Sequence, residues 1–513
     1  MRFKPIFCLA LTLLCGVSQA DNQNTDKQKS AEEVYRLVQS YCGACHGVPS
    51  PILMPKEDWP SAVKVMADIA KDRLGYELIS AEHVRDIAAY YYGSSPEMLG
   101  KLPVFPETKA PIAYSMQAFA TQSKMPLITD IRVVQLYKSK FPQILLSDAE
   151  NGKVSLLERK KANWQETTLL ETDIPSTLEI VDYDQDGDQD ILIAVLGRFF
   201  PPINLQAGKV ILLEQVKKGK FKQHVLLENV PRVQDVKAAD IDADGDLDLA
   251  LAIYGNNQFG ELAWLENLGK GKHQKHTLLD VSGGVNLIPT DINLDGKLDF
   301  ISLISQEHEM VLALVNRGNN KFESINLFQA SDPMIGSIDL SLADLDGDGD
   351  LDILFANGDA HDLQTDPKPY HGVQWLENLG RYQYQFHNLA RFYGASKALA
   401  RDLDGDGDLD VVASSWNNYW NEEGRQTLIW FENVGDKHFQ AHRMLGEPES
   451  IVAFDIADID NDGRVEIVAG IFKIDLLKRY WEKKVENEKA GAQILVDEPL
   501  KIRTLILDAT PQR

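Results

Sequence analysis

The stretch Asp402-Leu-Asp404-Gly-Asp406-Gly-Asp408-Leu-Asp410 alternates carboxylates and then runs straight into an apolar segment, Val411-Val412-Ala413. Near-copies begin at Asp182, Asp240, Asp291, Asp344 and Asp458, so successive copies start 51 to 58 residues apart. A period of this size marks a chain built from one repeated supersecondary unit. Each unit keeps the same order. A short strand enters the acidic loop, and an apolar strand such as Asp248–Ile253 leaves it. A loop follows, then a third strand ending in Trp-Leu-Glu-Asn at Trp264–Asn267 and Trp375–Asn378, with Trp430–Asn433 a variant. A glycine turn leads to a fourth strand such as Lys275–Leu279.

Four strands per repeat predict propeller blades. A further unit precedes the six, because Phe141–Leu146 aligns with Gln189–Ile193. The expected fold is an all-β propeller of seven blades, with six as the alternative, over residues 113–513. Lys138 and Lys140 stand in the first unit where carboxylates stand in the others. Ammonium groups there would repel a cation, so that blade is expected to hold none.

The acidic pattern is Asp-x-Asp-x-Asp-Gly-x-x-Asp. In an extended loop alternate side chains point the same way, so positions 1, 3 and 5 converge, and glycine at position 6 permits a sharp turn. The carbonyl of position 7 and the carboxylate of position 9 complete a shell of hard oxygens, the donor set that Ca²⁺ prefers. Six sites follow. They are Asp182, Asp184, Asp186, Asp188 and Asp190; Asp240, Asp242, Asp244, Asp246 and Asp248; and Asp291, Asn293, Asp295, Lys297 and Asp299. The other three are Asp344, Asp346, Asp348, Asp350 and Asp352; Asp402, Asp404, Asp406, Asp408 and Asp410; and Asp458, Asp460, Asp462, Arg464 and Glu466. Asn293 and Glu466 depart from the pattern and are expected to weaken their sites. An EF-hand would need a flanking helix and a glutamate at its twelfth position, whereas the flanks here are strand-like.

The net charge of −25 resides mostly in these loops. It argues against nucleic acid, whose backbone needs a basic face. Residues 1–20 have the layout of an export signal: Arg2 and Lys4, an apolar run Ile6–Leu14, and Ser18-Gln19-Ala20 before the cleavage point,. Cleavage there removes Cys8 and Cys15; a lipid anchor on Cys15 is the rival reading, disfavoured by Leu14. No later stretch is long and apolar enough to span a bilayer as a helix. The mature protein is expected in the periplasm or secreted.

The segment 21–99 reads as a separate helical domain. A helix should start near Ser30, with Val34, Leu37, Val38 and Tyr41 on one face,. It leads into Cys42-Gly-Ala-Cys45-His46, the spacing of covalent c-type haem attachment,. Two thiols three residues apart reach two vinyl groups, and the adjacent imidazole reaches the iron. A disulfide is the alternative. The second axial ligand is expected from Met66, on a helix Trp59–Ala70, or from Met54. A third helix, Ala81–Tyr92, ends at Gly93. Pro103, Pro106 and Pro111 make 100–112 a stiffened linker,.

Residues 30–95 resemble the class I cytochrome c family. The tandem acidic units resemble FG-GAP (VCBS, integrin α-type) repeats over roughly 125–475. The whole chain resembles exported bacterial proteins that join the two. The resemblance implies calcium loops between first and second strands on one rim, and ligand contact on the opposite face. The long loops assigned there are Arg198–Gly208, Tyr254–Gly260, Asn357–Gly372 and Ser414–Gly424. Their Phe199, Phe200, Tyr254, Asn256, Asn257, Tyr370, Trp416, Asn417, Asn418, Tyr419 and Trp420 form a mixture suited to carbohydrate or protein, or simply to loop packing. Residues 475–489 are charged, and Lys501–Leu507 is a candidate strand to close the ring.

Three functions follow. The first is electron transfer through one haem c to a redox partner, with a propeller stiffened by up to six Ca²⁺ as the docking platform. The second is an enzyme at the propeller mouth, with haem as acceptor or with His361, His371 and Arg198 serving a lyase. The third is adhesion alone, which leaves the haem motif without a role.

Overall fold

The computed structural model describes residues 29–119, 123–161, 163–199, 205–255, 260–359, 366–473, 501 and 503–511. The export signal, Phe200, Asn256, Asn257, His361 and the charged tail 475–489 lie outside the described residues. None of the described helices is long and apolar enough to cross a membrane.

Helix α1 (Ala31–Cys42) starts where the side chain of Ser30 accepts from the Glu33 N–H and Glu33 returns the bond to the Ser30 N–H. This capping box satisfies two of the amides that a helix start leaves open. Helix α2 (Trp59–Leu74) runs four residues past the expected end and stops at left-handed Gly75. Helix α3 (Ala81–Ser94) passes through Gly93 rather than ending there. Val38, Met54, Trp59, Ala62, Val63, Ile87 and Tyr91 form their shared core. Trp59 stacks on Tyr91 with centroids 3.9 Å apart.

Seven four-stranded antiparallel sheets follow, so the count is seven blades. Blade 2 shows the plan: Pro175–Val181, Asp190–Val195, Gly208–Lys217 and Lys220–Val230, each paired with the next. Blades 1 and 3 to 6 span 128–171, 233–280, 288–329, 337–391 and 395–445. The seventh combines both ends of the propeller. Ile451–Ala457 pairs with Glu466–Ile471, which pairs with Thr504–Pro511, which pairs in turn with Ile112–Phe119. The closing strand foreseen at Lys501–Leu507 is therefore the third strand of blade 7, displaced three residues onward, and the chain before blade 1 supplies the fourth.

Every residue of the second strand in each blade is buried. That strand has neighbours on both sides in its sheet and another blade against each face. Its composition is accordingly a continuous apolar run instead of the alternation of a half-wet strand. The outer strands are wetter: His273–Asp280 contains no fully buried residue. Adjacent blades share their cores, as where Ala356, Trp375 and Phe392 of blade 5 meet Val411, Ala413 and Phe431 of blade 6.

The proline-rich segment is bound along the propeller. Leu102 N–H donates to the Tyr393 hydroxyl at 2.7 Å, and Arg443 Nε donates to the Phe105 carbonyl at 2.6 Å. The Phe105 ring sits edge-on to Phe392 and Phe431 at 6.0 and 5.9 Å. The helical domain thereby comes to rest on blades 4 and 5.

Candidate functional site

Two sites stand on opposite faces of the propeller. The six acidic loops join first to second strands on one face. Their internal bonding repeats. The position 1 carboxylate accepts the N–H of the position 6 glycine, at 3.0 Å for Asp182 and Gly187, 3.2 Å for Asp240 and Gly245, 2.8 Å for Asp291 and Gly296, and 3.0 Å for Asp344 and Gly349. The same bond is 3.1 Å from Gly407 to Asp402 and 2.8 Å from Gly463 to Asp458. Position 6 lies at positive φ in all six, for example +98° at Gly187 and +104° at Gly407, where a Cβ would be strained,.

Position 9 has a second task. Asp248 accepts the N–H of Ile241 at position 2 and the N–H of Asn267 on the third strand, at 3.1 and 2.8 Å. Asp352 and Asp410 repeat this with Asn378 and Asn433. The carboxylate that closes the loop thus also ties the loop to the sheet. Burial pushes Asp190, Asp248 and Asp352 up to about 6, and Asp410 and Glu466 up to about 7.

Carboxylate oxygens converge within 4.8 Å in Asp182/Asp184/Asp190, Asp240/Asp242/Asp248, Asp344/Asp346/Asp348, Asp402/Asp404/Asp410 and Asp458/Asp460/Glu466. Asp182 Oδ1, Asp344 Oδ1 and Asp460 Oδ1 are buried without a hydrogen-bond partner. Buried, unpaired oxygens at the centre of an anionic cluster fit a hard divalent cation. The third loop differs. Asn293 donates to Asp299 and to Tyr382 of the next blade, at 3.1 and 3.0 Å, and Lys297 donates to Asp295 at 2.9 Å. In the sixth, Arg464 pairs with Asp462 in the same way. In the fourth, Lys437 of the next blade donates to Asp346 at 2.9 Å and also to Glu377. The turn of blade 1 carries instead a carbonyl at Lys138 that accepts from Lys218, and one at Lys140 that accepts from Asn461.

A repeated element near these loops was missed in sequence. The third-strand glutamate pairs with a histidine ten residues later: Glu214 with His224, Glu266 with His276, Glu377 with His387 and Glu432 with His442, all at 2.5–2.6 Å. Trp264, Trp375 and Trp430 lie on His276, His387 and His442 at 4.5–4.7 Å. The constant ten-residue offset was the available signal. Blade 4, with the asparagine loop, has Leu314 opposite Ser324 where blade 3 has Trp264 opposite His276.

The second site is a cavity on the opposite face. Cys42, Cys45, His46, Met54 and Met66 line it together. The sequence reading named all five, and the fold brings them to one space. Cys42 is half-buried and Cys45 exposed, both as free thiols, and burial pushes the Cys42 thiol up. His46 Nδ1 lies 2.7 Å from the Gly47 carbonyl, so this nitrogen donates and Nε2 keeps its lone pair. A Cβ at Gly43 would lie 2.5 Å from the Gln39 carbonyl oxygen, so the turn between the cysteines needs glycine. Met54 is 1% exposed and Met66 41%. This donor set and apolar surround fit a covalently attached haem: two thiols, one oriented imidazole and two methionine sulfurs.

The propeller supplies the facing wall, which the sequence did not reveal. Tyr254, Ser305–Glu309, Pro333–Ser337, Asp359, Lys368 and Tyr370 line the same cavity. Ser50 N–H donates to Asp332 Oδ2 at 2.7 Å, Arg73 pairs with Glu307, and Met334 packs on the helical core. Glu309 accepts from the N–H groups of Gly336 and Ser337 at 3.2 and 3.0 Å, and burial pushes its carboxyl up to about 8. Burial pushes Lys368 down to about 8, against the pull of Asp366 and Asp58. Elsewhere on this face Phe199 and Trp416 pack around Phe472 at 6.2 and 6.1 Å, and Tyr419 sits edge-on to Tyr393, so these aromatics hold the loops together.

Residues 182–251, 240–302, 291–355 and 402–469 match the FG-GAP-like repeat. No curated protein matches the chain. Among solved structures it is similar to BBS1N, seen in complex with ARL6DN in lead-soaked crystals, at 9% identity and a TM-score of 0.46, covering 79% of this chain and 98% of that one. It is also similar to a streptogramin B lyase at 12% identity and a TM-score of 0.44, covering 77% and 98%. Four stretches that match the FG-GAP-like repeat lie within a seven-bladed β-propeller, which three α-helices precede among the described residues.

Proposed function

We propose that the protein is an exported, periplasmic or secreted, c-type cytochrome that passes single electrons to a redox partner, with its haem domain mounted on a calcium-stabilised propeller. The observation that carries this reading is the meeting of Cys42, Cys45, His46, Met54 and Met66 in one cavity. Cys42 and Cys45 would hold the macrocycle through thioethers, His46 Nε2 would be one axial ligand, and Met66 or Met54 the other. When bound, the group supplies the ferric–ferrous couple, and a methionine ligand favours a high potential. The bond from His46 to the Gly47 carbonyl fixes the ring tautomer and orientation, as metal-bound histidines generally require. Trp59, Val63 and Ile87 give the cavity an apolar lining, which suits transfer of an electron without bond chemistry.

Calcium in the acidic loops has a structural role in this reading. The loops lie on the face away from the haem motif, so the ions stiffen blades and take no part in redox chemistry. The experiment is the intact mass of the exported protein under denaturing conditions. One haem retained through Cys42 and Cys45 supports the reading. A haem-free mass with both thiols alkylatable refutes it.

A second reading is an enzyme that oxidises a small molecule in the cavity, with the haem as acceptor. It is favoured by Glu309 and Lys368, two buried ionisable groups displaced from their ordinary ranges in one cleft,. Binding of a partner, a carbohydrate or another protein remains open to the part of this face that the helices leave uncovered.

A further inference from the structure

The glutamate–histidine pairs of the third and fourth strands have no part in the function proposed above. Each histidine Nε2 donates to one glutamate oxygen, Oε2, in Glu214, Glu266, Glu377 and Glu432 alike. The charges of Glu214, Glu266 and Glu432 act on Asp184, Asp242 and Asp404, the position 3 carboxylates of the same blades. Like charges set this close repel unless a cation stands between them. The glutamates lie outside the oxygen sets that converge within 4.8 Å, so they belong one layer out from the ion. We propose, resting on the calcium reading of the acidic loops, that the third-strand carboxylate is an outer member of the cation site of its blade and reaches the ion through a water bound to it. In blades 2, 3, 5 and 6 the histidine fixes its orientation.

Three blades carry this beyond proximity. In blade 5 the Lys437 ammonium donates to Asp346 Oδ2 at 2.9 Å and to Glu377 Oε1, the oxygen that His387 leaves open. A positive group therefore stands between the position 3 and third-strand carboxylates, and it shows that the gap accepts one. Blade 7 keeps both carboxylates but exchanges their lengths. The pairs Leu249–Leu265 and Ile353–Leu376 set Glu266 and Glu377 opposite the position 9 aspartates of blades 3 and 5. In blade 7 Glu466 at position 9 stands opposite Asp508 on the third strand. Asp508 Oδ1 is buried without a hydrogen-bond partner. Blade 4 is the converse. Its position 3 is the neutral Asn293, and it has no glutamate on the third strand Met310–Asn316 and no histidine on the fourth strand Phe322–Gln329.

The test is a calorimetric calcium titration of the full exported chain after chelation. A wild type that binds no calcium overturns the parent reading independently. In the triple variant Glu214→Gln, Glu266→Gln and Glu432→Gln the amide oxygen still accepts from histidine, but the charge is gone. Loss of an outer group of this kind costs roughly 10–100-fold in metal affinity. Three sites are expected to weaken by at least that lower factor, and any smaller change overturns the proposal. Thermal midpoints separate this role from packing alone. In chelator the variant is expected to melt no lower than wild type, because a repulsion is relieved, and with calcium it is expected to melt lower. A midpoint lowered equally in both overturns the proposal. Should the triple variant fail to fold, blade 5 decides. Lys437→Met leaves Asp346 and Glu377 open to the ion and is expected to strengthen one site, and Glu377→Gln added to it is expected to cancel the gain. No gain, or a gain that survives Glu377→Gln, overturns the proposal.

Discussion

The two faces of the propeller are built on opposite plans. On the acidic face one device is repeated six times, with the same glycine bond and the same buried position 9 carboxylate, and in five of the six that carboxylate also takes an N–H of the third strand. On the other face the described segments that line the cavity do not repeat one another. Ser305–Glu309, Pro333–Ser337 and the segment around Lys368 and Tyr370 differ in length and composition, and together they form one wall. Repetition serves stability, because each blade must close on its neighbours. Irregularity serves a single site, because only one place on the ring receives the helical domain.

That contrast can be broken most forcefully by removing the cations. A site saturated about 1,000-fold above its Kd contributes about 4 kcal/mol. Chelation is therefore expected to lower the thermal midpoint of the propeller by many degrees, while covalent haem content stays the same. An unchanged midpoint would mean that the acidic loops are held by hydrogen bonds alone.

A smaller effect separates the loops from one another. Asp402→Ala should remove one calcium and destabilise by several kcal/mol. Asp291→Ala should cost less, since the neighbouring Asn293 and the Lys297–Asp295 pair already supply neutral or cationic partners. Calcium stoichiometry by elemental analysis, with denaturant midpoints, checks both. Equal losses would erase the distinction.

On the other face, Met334→Ala removes a half-buried side chain from the joint between domains. A loss of about 1–2 kcal/mol is expected from the scale of large-to-small substitutions. It should appear as earlier release of the helical domain in hydrogen exchange, with the blades unaffected.

The smallest effect concerns pH. The Glu309 carboxyl binds its proton more tightly in the folded protein, about 8 against an ordinary 4.5. Stability attributable to it is full below about pH 4.5 and falls as pH rises towards about 8,. Glu309→Gln should remove that component of the slope, so wild type loses stability relative to the variant across this range. Parallel pH profiles would show that Glu309 ionises normally.

The difference between the faces also explains what could be read from the residues. The period of the acidic stretches and the run of four strands were enough for the blades, because the same physical requirement recurs in each. Ser30, Trp59 and Ala81 marked the helix starts because capping and helical spacing are local. The ring closure was legible only in part. Thr504–Pro511 was approached through Lys501–Leu507, but its pairing with Ile112–Phe119 joins the two ends of the propeller, far apart in sequence. The propeller wall of the cavity was illegible for the same reason. Nothing near Asp332, Met334 or Lys368 in sequence points to Cys42 or His46, and no repeat distinguishes these loops from ordinary connections. The Glu–His pairs lay within reach, since their ten-residue offset recurs in four blades.

The most direct test of the central claim is the visible spectrum of the exported protein, oxidised, reduced, and reduced under carbon monoxide. With His46 and a methionine on the iron, in a cavity closed by the propeller, the haem should be low-spin and its reduced spectrum unchanged by carbon monoxide. A high-spin haem that binds carbon monoxide readily would contradict electron transfer through a six-coordinate site.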